Sequence, residues 1–125
     1  MIKKIELIMI ANVPDNNGII YTEQIMKCIV DRLNQPKFVP IVVGINPDEY
    51  NNPPVGRVIQ QTALFDGKKI YVDVDIEEHV LHLLDSSTHV VGIYLVASLN
   101  EDNEVIPYPK FDIIELQIIK IKKGQ

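Results

Sequence analysis

Three histidines, a cluster of acids and four possible nucleophiles carry whatever chemistry this sequence could do. His79 and His82 stand three residues apart, with His89 seven further on. On a helix the first two share a face, so zinc is the sharp reading. A metalloprotease motif, however, needs two histidines at a four-residue spacing with a glutamate between them. Here Glu78 precedes His79 and the two histidines are one residue too close. The spacing therefore predicts a surface helix bearing two solvated imidazoles, with no metal and no other cofactor. Among the acids Asp73, Asp75, Glu77 and Glu78, the first two alternate with Val72 and Val74. They project from one face of a strand while the valines project from the other, and a solvated strand face explains that pattern without a cation.

For nucleophilic hydrolysis the candidates are Ser86, Ser87, Ser98 and Cys28. Each needs a base within hydrogen-bond reach and a pair of donors for the oxyanion. Ser86 and Ser87 lie close in sequence to His89, but neighbours in a loop rarely build such geometry alone. Ser98 sits at a strand end beside Asn100, and no glycine-rich elbow surrounds it. Cys28 falls on the interior of a helix and reads as a buried small hydrophobe. The six glycines are isolated from one another, so there is no phosphate-cradling loop. On residue chemistry alone no catalytic set is complete.

The elements that would position these groups are legible from periodicity. Ile2 to Ala11 is rich in Ile and Leu on both alternating faces, as in a strand at the centre of a sheet. Asn12 to Gly18 is dense in turn formers. Thr22 then caps a helix whose apolar positions Ile25, Met26, Ile29, Val30 and Leu33 recur at helical spacing, and Pro36 prevents its continuation past Gln35. Phe38 to Ile45 is a second strand, followed by a loop from Asn46 to Pro54 with three prolines and three asparagines. Such a loop is either functional or a plain surface excursion. Val55 to Leu64 and Lys69 to Val74 flank an Asp66-Gly67 pair, a hairpin signal. Glu77 to Leu84 is a short second helix with its acids at the start. Val90 to Leu99 is a further apolar strand, Asn100 to Glu104 an acidic turn, and Phe111 to Ile121 a final strand, with Pro107 and Pro109 breaking the pairing before it. The sum is an α+β protein with a mostly antiparallel or mixed sheet of six to seven strands, open or curled into a small barrel, and two helices.

Composition narrows the function classes. At 125 residues the chain suits one domain spanning 1–125. A hydrophobic content of 46% with 23% charged residues is that of an ordinary globular protein and not of a disordered one. Twelve Lys and Arg against 17 acids, for a net charge of -5, argue against nucleic-acid binding driven by overall charge. The basic run Lys120, Lys122, Lys123 is too short to change that and reads as a solvated strand end. The longest apolar runs fall short of the roughly 20 residues that cross a bilayer, and Asn12, Pro14 and Asp15 interrupt the start before a signal-peptide pattern develops, so no membrane partner is expected. The single cysteine leaves the fold to be held by packing.

The order of these signals resembles the prohead maturation proteases of tailed bacteriophages, relatives of the herpesvirus assemblin fold. An early strand is followed by Asn16-Asn17-Gly18-Ile19-Ile20-Tyr21, similar to that family's asparagine-asparagine-glycine stretch and the helix after it. Then come Gly44-Ile45-Asn46-Pro47, a loop, Val55-Gly56-Arg57-Val58, the Asp66-Gly67 hairpin, a short helix and Val91-Gly92-Ile93-Tyr94, and Phe111-Asp112-Ile113-Ile114-Glu115-Leu116 looks like the closing strand. Active members carry a histidine before the loop and a serine after the glycine of the later strand. The matching positions here are Asn46 and Tyr94. Asparagine has no titratable nitrogen to act as a base, and a phenol with a pKa near 10 replaces a base-activated serine poorly. No histidine occurs before His79, and no serine lies between His89 and Ala97.

What the resemblance implies is a protease-like fold without protease chemistry, a pseudoenzyme reused as an auxiliary or decoration component of a phage capsid. Its partner would be the major capsid protein or another head protein, with self-association also compatible, and its place the virion or, during assembly, the host cytoplasm. A surface shaped for capsid precursors keeps its use when the nucleophile is lost. Attachment could use the loop from Asn46 to Pro54, an open sheet edge or the acidic turn from Asn100 to Glu104. The competing readings are an active maturation endopeptidase using Ser98 with His79, His82 or His89, and a small phage inhibitor that acts by binding.

Overall fold

The alternation of apolar and polar residues along the chain is resolved in a computed structural model that describes residues 1–44, 53–85 and 87–121. In chain order the elements are β1 (Ile2–Glu6), α1 (Glu23–Leu33), β2 (Pro40–Val43), β3 (Gly56–Val58), β4 (Leu64–Phe65), β5 (Ile70–Ile76), a 3-10 turn (Glu78–Val80), α2 (Leu81–Leu84), β6 (His89–Leu99) and β7 (Val105–Lys120). Among the described residues the strands form one mixed sheet in the order β1-β5-β3-β2-β7-β6, with β4 paired to β5. The β2–β7 ladder is parallel and the other ladders are antiparallel. The fold is therefore α+β, its mixed sheet curled into a half-barrel and accompanied by two helices.

The curl brings the two ends of the sheet together at a single point. Just past β1, Leu7 forms a parallel bridge with Val91 of β6, and the Ile8 N–H donates to the Val91 carbonyl at 2.9 Å. The concave side is filled by Leu7, Met26, Ile29, Ile41, Val72, Leu116 and their neighbours, all buried. Each large aliphatic side chain removed from water in this way contributes about 1.5–3 kcal/mol. Helix α1 supplies Met26, Ile29 and Leu33 to that core, because its apolar residues recur every three or four positions. Its start is fixed by Thr22, whose hydroxyl accepts the Ile25 N–H at 3.3 Å.

Several expectations need correction. Strand β1 is not central: it stands at one end of the strand order, with Ile2, Lys4 and Glu6 exposed and only one face covered. Val55 to Leu64 is not one strand but β3 and β4, parted by a turn in which Gln61 has φ 64 and the Thr62 hydroxyl donates to the Ile59 carbonyl at 2.7 Å. The second helix opens with a 3-10 turn and keeps only four α-helical residues. Strand β7 is longer than expected and runs through both prolines. Its pairing with β6 nevertheless jumps from Ala97↔Phe111 to Ser98↔Ile106, so Pro107 to Lys110 face no β6 partner, as proline's missing N–H requires. The Asp66-Gly67 hairpin forms as expected. Gly67 has φ 99, and Asp66 Oδ1 accepts the N–H groups of Lys68 and Lys69 at 2.8 Å each. The loop position Asn46 and its neighbours lie outside the described residues.

Candidate functional site

Strand β6 is the last in the sheet among the described residues, and beyond the Val91 bridge none of these pairs with its outer edge. Among the described residues no backbone hydrogen bond outside its ladder with β7 reaches Gly92 to Leu99. The sheet's two ends diverge there, and the divergence opens a cleft of about 530 Å³ between β6 and the chain that follows β1. Ile8 and Ile10 wall one side, Gly92 and Ile119 the other, and the loop from Val13 to Ile19 closes one end.

Local chemistry explains each wall. In residues 7–11 Leu7, Met9 and Ala11 turn into the core, which forces Ile8 and Ile10 outward into solvent at the cleft. Asp15 shapes the loop. Its Oδ1 accepts the N–H groups of Asn17 at 2.8 Å and Ile19 at 2.9 Å, and its carbonyl accepts from Gly18, which has φ 77. Tyr21 stands behind the loop. Burial raises its phenol above the ordinary tyrosine range, and the Asp15 carboxylate pushes it further. Gly92 makes the cleft floor thin: a Cβ built there would lie 2.8 Å from Ile119 Cδ1 and 4.0 Å from Ile8 Cγ2.

The outer face of β6 continues the surface. The register with β7 sets Gly92 opposite Gln117, Tyr94 opposite Glu115 and Val96 opposite Asp112. Tyr94 is 51% exposed and Val96 41%. Desolvation raises the Glu115 carboxyl above the usual carboxylate range. At the Leu99 end the acidic turn is tightly made. Asn100 Oδ1 accepts the N–H groups of Asp102 and Glu104, and Asn100 Nδ2 donates to Glu104 Oε1 at 2.8 Å.

The sequence-derived candidates scatter around this face. Tyr94, at the position matching the family's serine, points outward from β6. Ser98 lies near the far end of the same strand, nine residues from His89 and so about 25–30 Å away along the chain. His79 and His82 belong to the elements that lead into the His89 end, not the Ser98 end. His79 Nδ1 lies 3.4 Å from Glu77 Oε2 in an exposed pair, and His89 Nδ1 lies 2.8 Å from the Thr88 hydroxyl. Among the described residues no group of three or more His, Cys, Asp or Glu side chains converges on a metal-sized site. Cys28 is half-buried rather than buried, because it sits at the margin of the apolar stripe of α1. Ser86 and Asn46 lie outside the described residues. On strand β5, Asp75 accepts from the N-terminal ammonium at 2.9 Å, which holds its carboxyl below the usual range.

No protein-family model, characterised protein or solved structure compared with this chain matches it. The geometry must therefore speak for itself. An open strand edge offers unpaired backbone donors and acceptors, and an adjoining aliphatic cleft offers a seat for side chains. Together they suit the capture of an extended chain. Residue chemistry pointed to the histidines and serines and passed over Ile8, Ile10, Glu115 and Ile119. The signal that could have found the site is the absence of any charged residue from Val90 to Leu99.

Proposed function

We propose that this protein acts by binding and not by catalysis, as an auxiliary component of a phage head that engages capsid protein. The observation that carries the binding half of this reading is the unpaired edge of β6 beside an aliphatic cleft. The capsid half rests on the resemblance of the chain's motif order to prohead proteases. Two features agree with the loss of catalysis. Tyr94 stands where the family's serine is expected and has Glu115, not a histidine, across the ladder, and Ser98 is far along β6 from His89. A protease that must seize extended precursor chains needs backbone pairing before it needs a nucleophile, and pairing survives when the nucleophile is gone.

The test is mass spectrometry of gradient-purified particles from the source. The expected result is this chain at intact mass and in a fixed ratio to the major capsid protein. Absence from particles, with cleavage of a capsid precursor that Ser98→Ala abolishes, overturns the reading in favour of an active endopeptidase. Absence from particles without such cleavage leaves the inhibitor reading in its place.

A further inference from the structure

Natural sheets guard their free edges with lysine, proline or inward charge, because an unguarded edge pairs with any strand that meets it. Strand β6 has eleven residues, and from Val90 to Leu99 it carries none of these side-chain devices, its ladder with β7 only shifting register at Tyr94/Leu95 and Ala97/Ser98. Its concave-side residues Val91, Ile93 and Leu95 are committed to the core opposite Ile118, Leu116 and Ile113. A strand added at this edge would therefore be read on its outer face, by Gly92, Tyr94 and Val96.

Those three positions ask for different side chains. Beside Gly92 the cleft is walled by Ile8, Ile10 and Ile119, so an aliphatic group is favoured there. Beside Tyr94 an exposed aromatic ring lies next to Glu115 on the neighbouring strand, and both attract a cation. Val96 again offers aliphatic contact. The wider charge distribution agrees. Asp15 is the one charged residue among those lining the cleft, and Glu101, Asp102 and Glu104 crowd the turn at the Leu99 end. The chain as a whole carries -5.

We infer that β6 takes an extended segment of another protein as an added strand, with the pattern aliphatic–x–Lys/Arg–x–aliphatic. The first aliphatic group sits in the cleft beside Gly92, the basic side chain lies on Tyr94 toward Glu115, and the second aliphatic group packs on Val96. The pattern reads the same in both directions, so it holds for a parallel or an antiparallel guest. This specificity rests on the binding reading above and adds to it the chemistry of the bound segment.

The experiment is fluorescence polarisation with the full chain and a capped, labelled nine-residue peptide carrying Val, Lys and Val at its third, fifth and seventh positions and Thr elsewhere. Three comparison peptides replace Lys by Glu, replace both Val by Ser, or carry N-methyl groups on alternate amides. Wild type should bind the Val-Lys-Val peptide about tenfold or more tighter than each of the three. Gly92→Val, which pushes the Ile119 tip into the cleft, and Val96→Lys, which guards the edge, should each weaken binding by a similar factor. Glu115→Gln should narrow the preference for Lys over Glu. Unchanged far-UV circular dichroism and melting temperature separate loss of the site from loss of the fold, and Gly92→Ala serves where Gly92→Val does not fold. Equal binding of the Lys and Glu peptides, or full binding of the N-methylated one, overturns the inference. So does tight binding by a folded Val96→Lys. Particles that incorporate folded Val96→Lys as well as wild type would refute this edge while leaving the capsid reading intact. Particles lacking wild type refute the capsid reading whatever the peptides do.

Discussion

Removing the Asp112 carboxylate should destabilise the protein far more than removing the arginine it holds. Arg32 is 8% exposed, on the last turn of α1, and its Nε donates to Asp112 Oδ1 at 2.8 Å. Its Nη1 is buried with no hydrogen-bond partner, so this ion is already under-compensated. Asp112 is better served. Lys37 Nζ donates to its Oδ2 at 3.1 Å and the Ile113 N–H to its Oδ1 at 2.8 Å. Asp112→Ala leaves the guanidinium buried without its carboxylate, a change that costs about 3–5 kcal/mol in a fully enclosed pair. The Asp112 side chain is 38% exposed, so water can reach the gap, and the expected loss falls to about 2 kcal/mol. For a chain of this length that lowers the melting temperature by about 8 °C. Arg32→Met keeps the packing of the stem, removes the orphaned donor and leaves Asp112 paired with Lys37, so it should stay within about 1 kcal/mol of wild type. Urea unfolding followed by circular dichroism measures both. The sign with pH is also fixed. Burial raises the Asp112 carboxyl, but the hydrogen bonds from Lys37, Arg32 and Ile113 outweigh it, and the group titrates below the usual carboxylate range. A lowered folded pKa means stability that is present above the unfolded pKa and lost as pH falls through the folded value. The gap between wild type and Asp112→Ala should therefore close on acidification below about pH 4. An Arg32→Met variant less stable than Asp112→Ala, or a gap that does not change with pH, would refute this account.

Three further outcomes follow from the same structure. Gly56→Ala should destabilise by about 3 kcal/mol or more, because its Cβ would lie 2.5 Å from the Asp75 carbonyl oxygen and only backbone separation of β3 from β5 relieves that; a melting temperature equal to wild type refutes it. Asn34→Ala should lose about 2 kcal/mol in urea unfolding, since one amide side chain both accepts the Ala63 N–H at 2.9 Å and donates to the Ala63 carbonyl at 3.1 Å, tying α1 to the chain before β4. In an ultraviolet titration Tyr21 and Tyr71 should ionise after free tyrosine. Both phenols are raised by desolvation, with further push from Asp15 and from Asp66 respectively. Phe at position 21 should remove one late step, and because the folded pKa is raised, stability should fall as pH climbs past about 10.

How far the sequence carries depends on whether an element is specified locally. Helix α1 is legible because its cap, its three- and four-residue apolar spacing and Pro36 lie within one short window. The Asp66-Gly67 hairpin is legible for the same reason. The place of β1 is not. Its aliphatic content suggested a doubly buried strand, but Ile2 is exposed at a sheet end, and Ile8 and Ile10, just past the strand, wall the cleft instead of a core. The parallel β2–β7 ladder is invisible too, since Ile41 and Leu116 meet across 75 positions of chain with nothing local to announce the pairing. The split between β3 and β4 lies at the Gln61–Thr62 turn, and the backbone of Ala63 just after it is held by Asn34, the residue that caps α1 and lies far off in sequence.

The site shows the same division in sharper form. Three attachment surfaces were open from the residues: the loop from Asn46, a sheet edge and the acidic turn. Most of the first, residues 46–52, lies outside the described residues, and the third is a turn pinned by Asn100 that leaves the Glu101 and Asp102 side chains exposed at the Leu99 end of β6. Which strand is the edge is a property of topology: the strand order leaves β1 and β6 at its two ends, and of these β1 carries Lys3, Lys4 and Glu6 while β6 is uncharged from Val90 to Leu99. Once it is picked out, a plain sequence fact changes meaning. Ten uncharged residues from Val90 to Leu99 describe an ordinary buried strand if it is central. On an edge they describe a surface without a guarding charge beside a largely apolar cleft, where a lysine at Val96 would cost the fold little because that side chain is already 41% exposed. That is the side-chain pattern an edge needs if, as proposed above, an added strand belongs there.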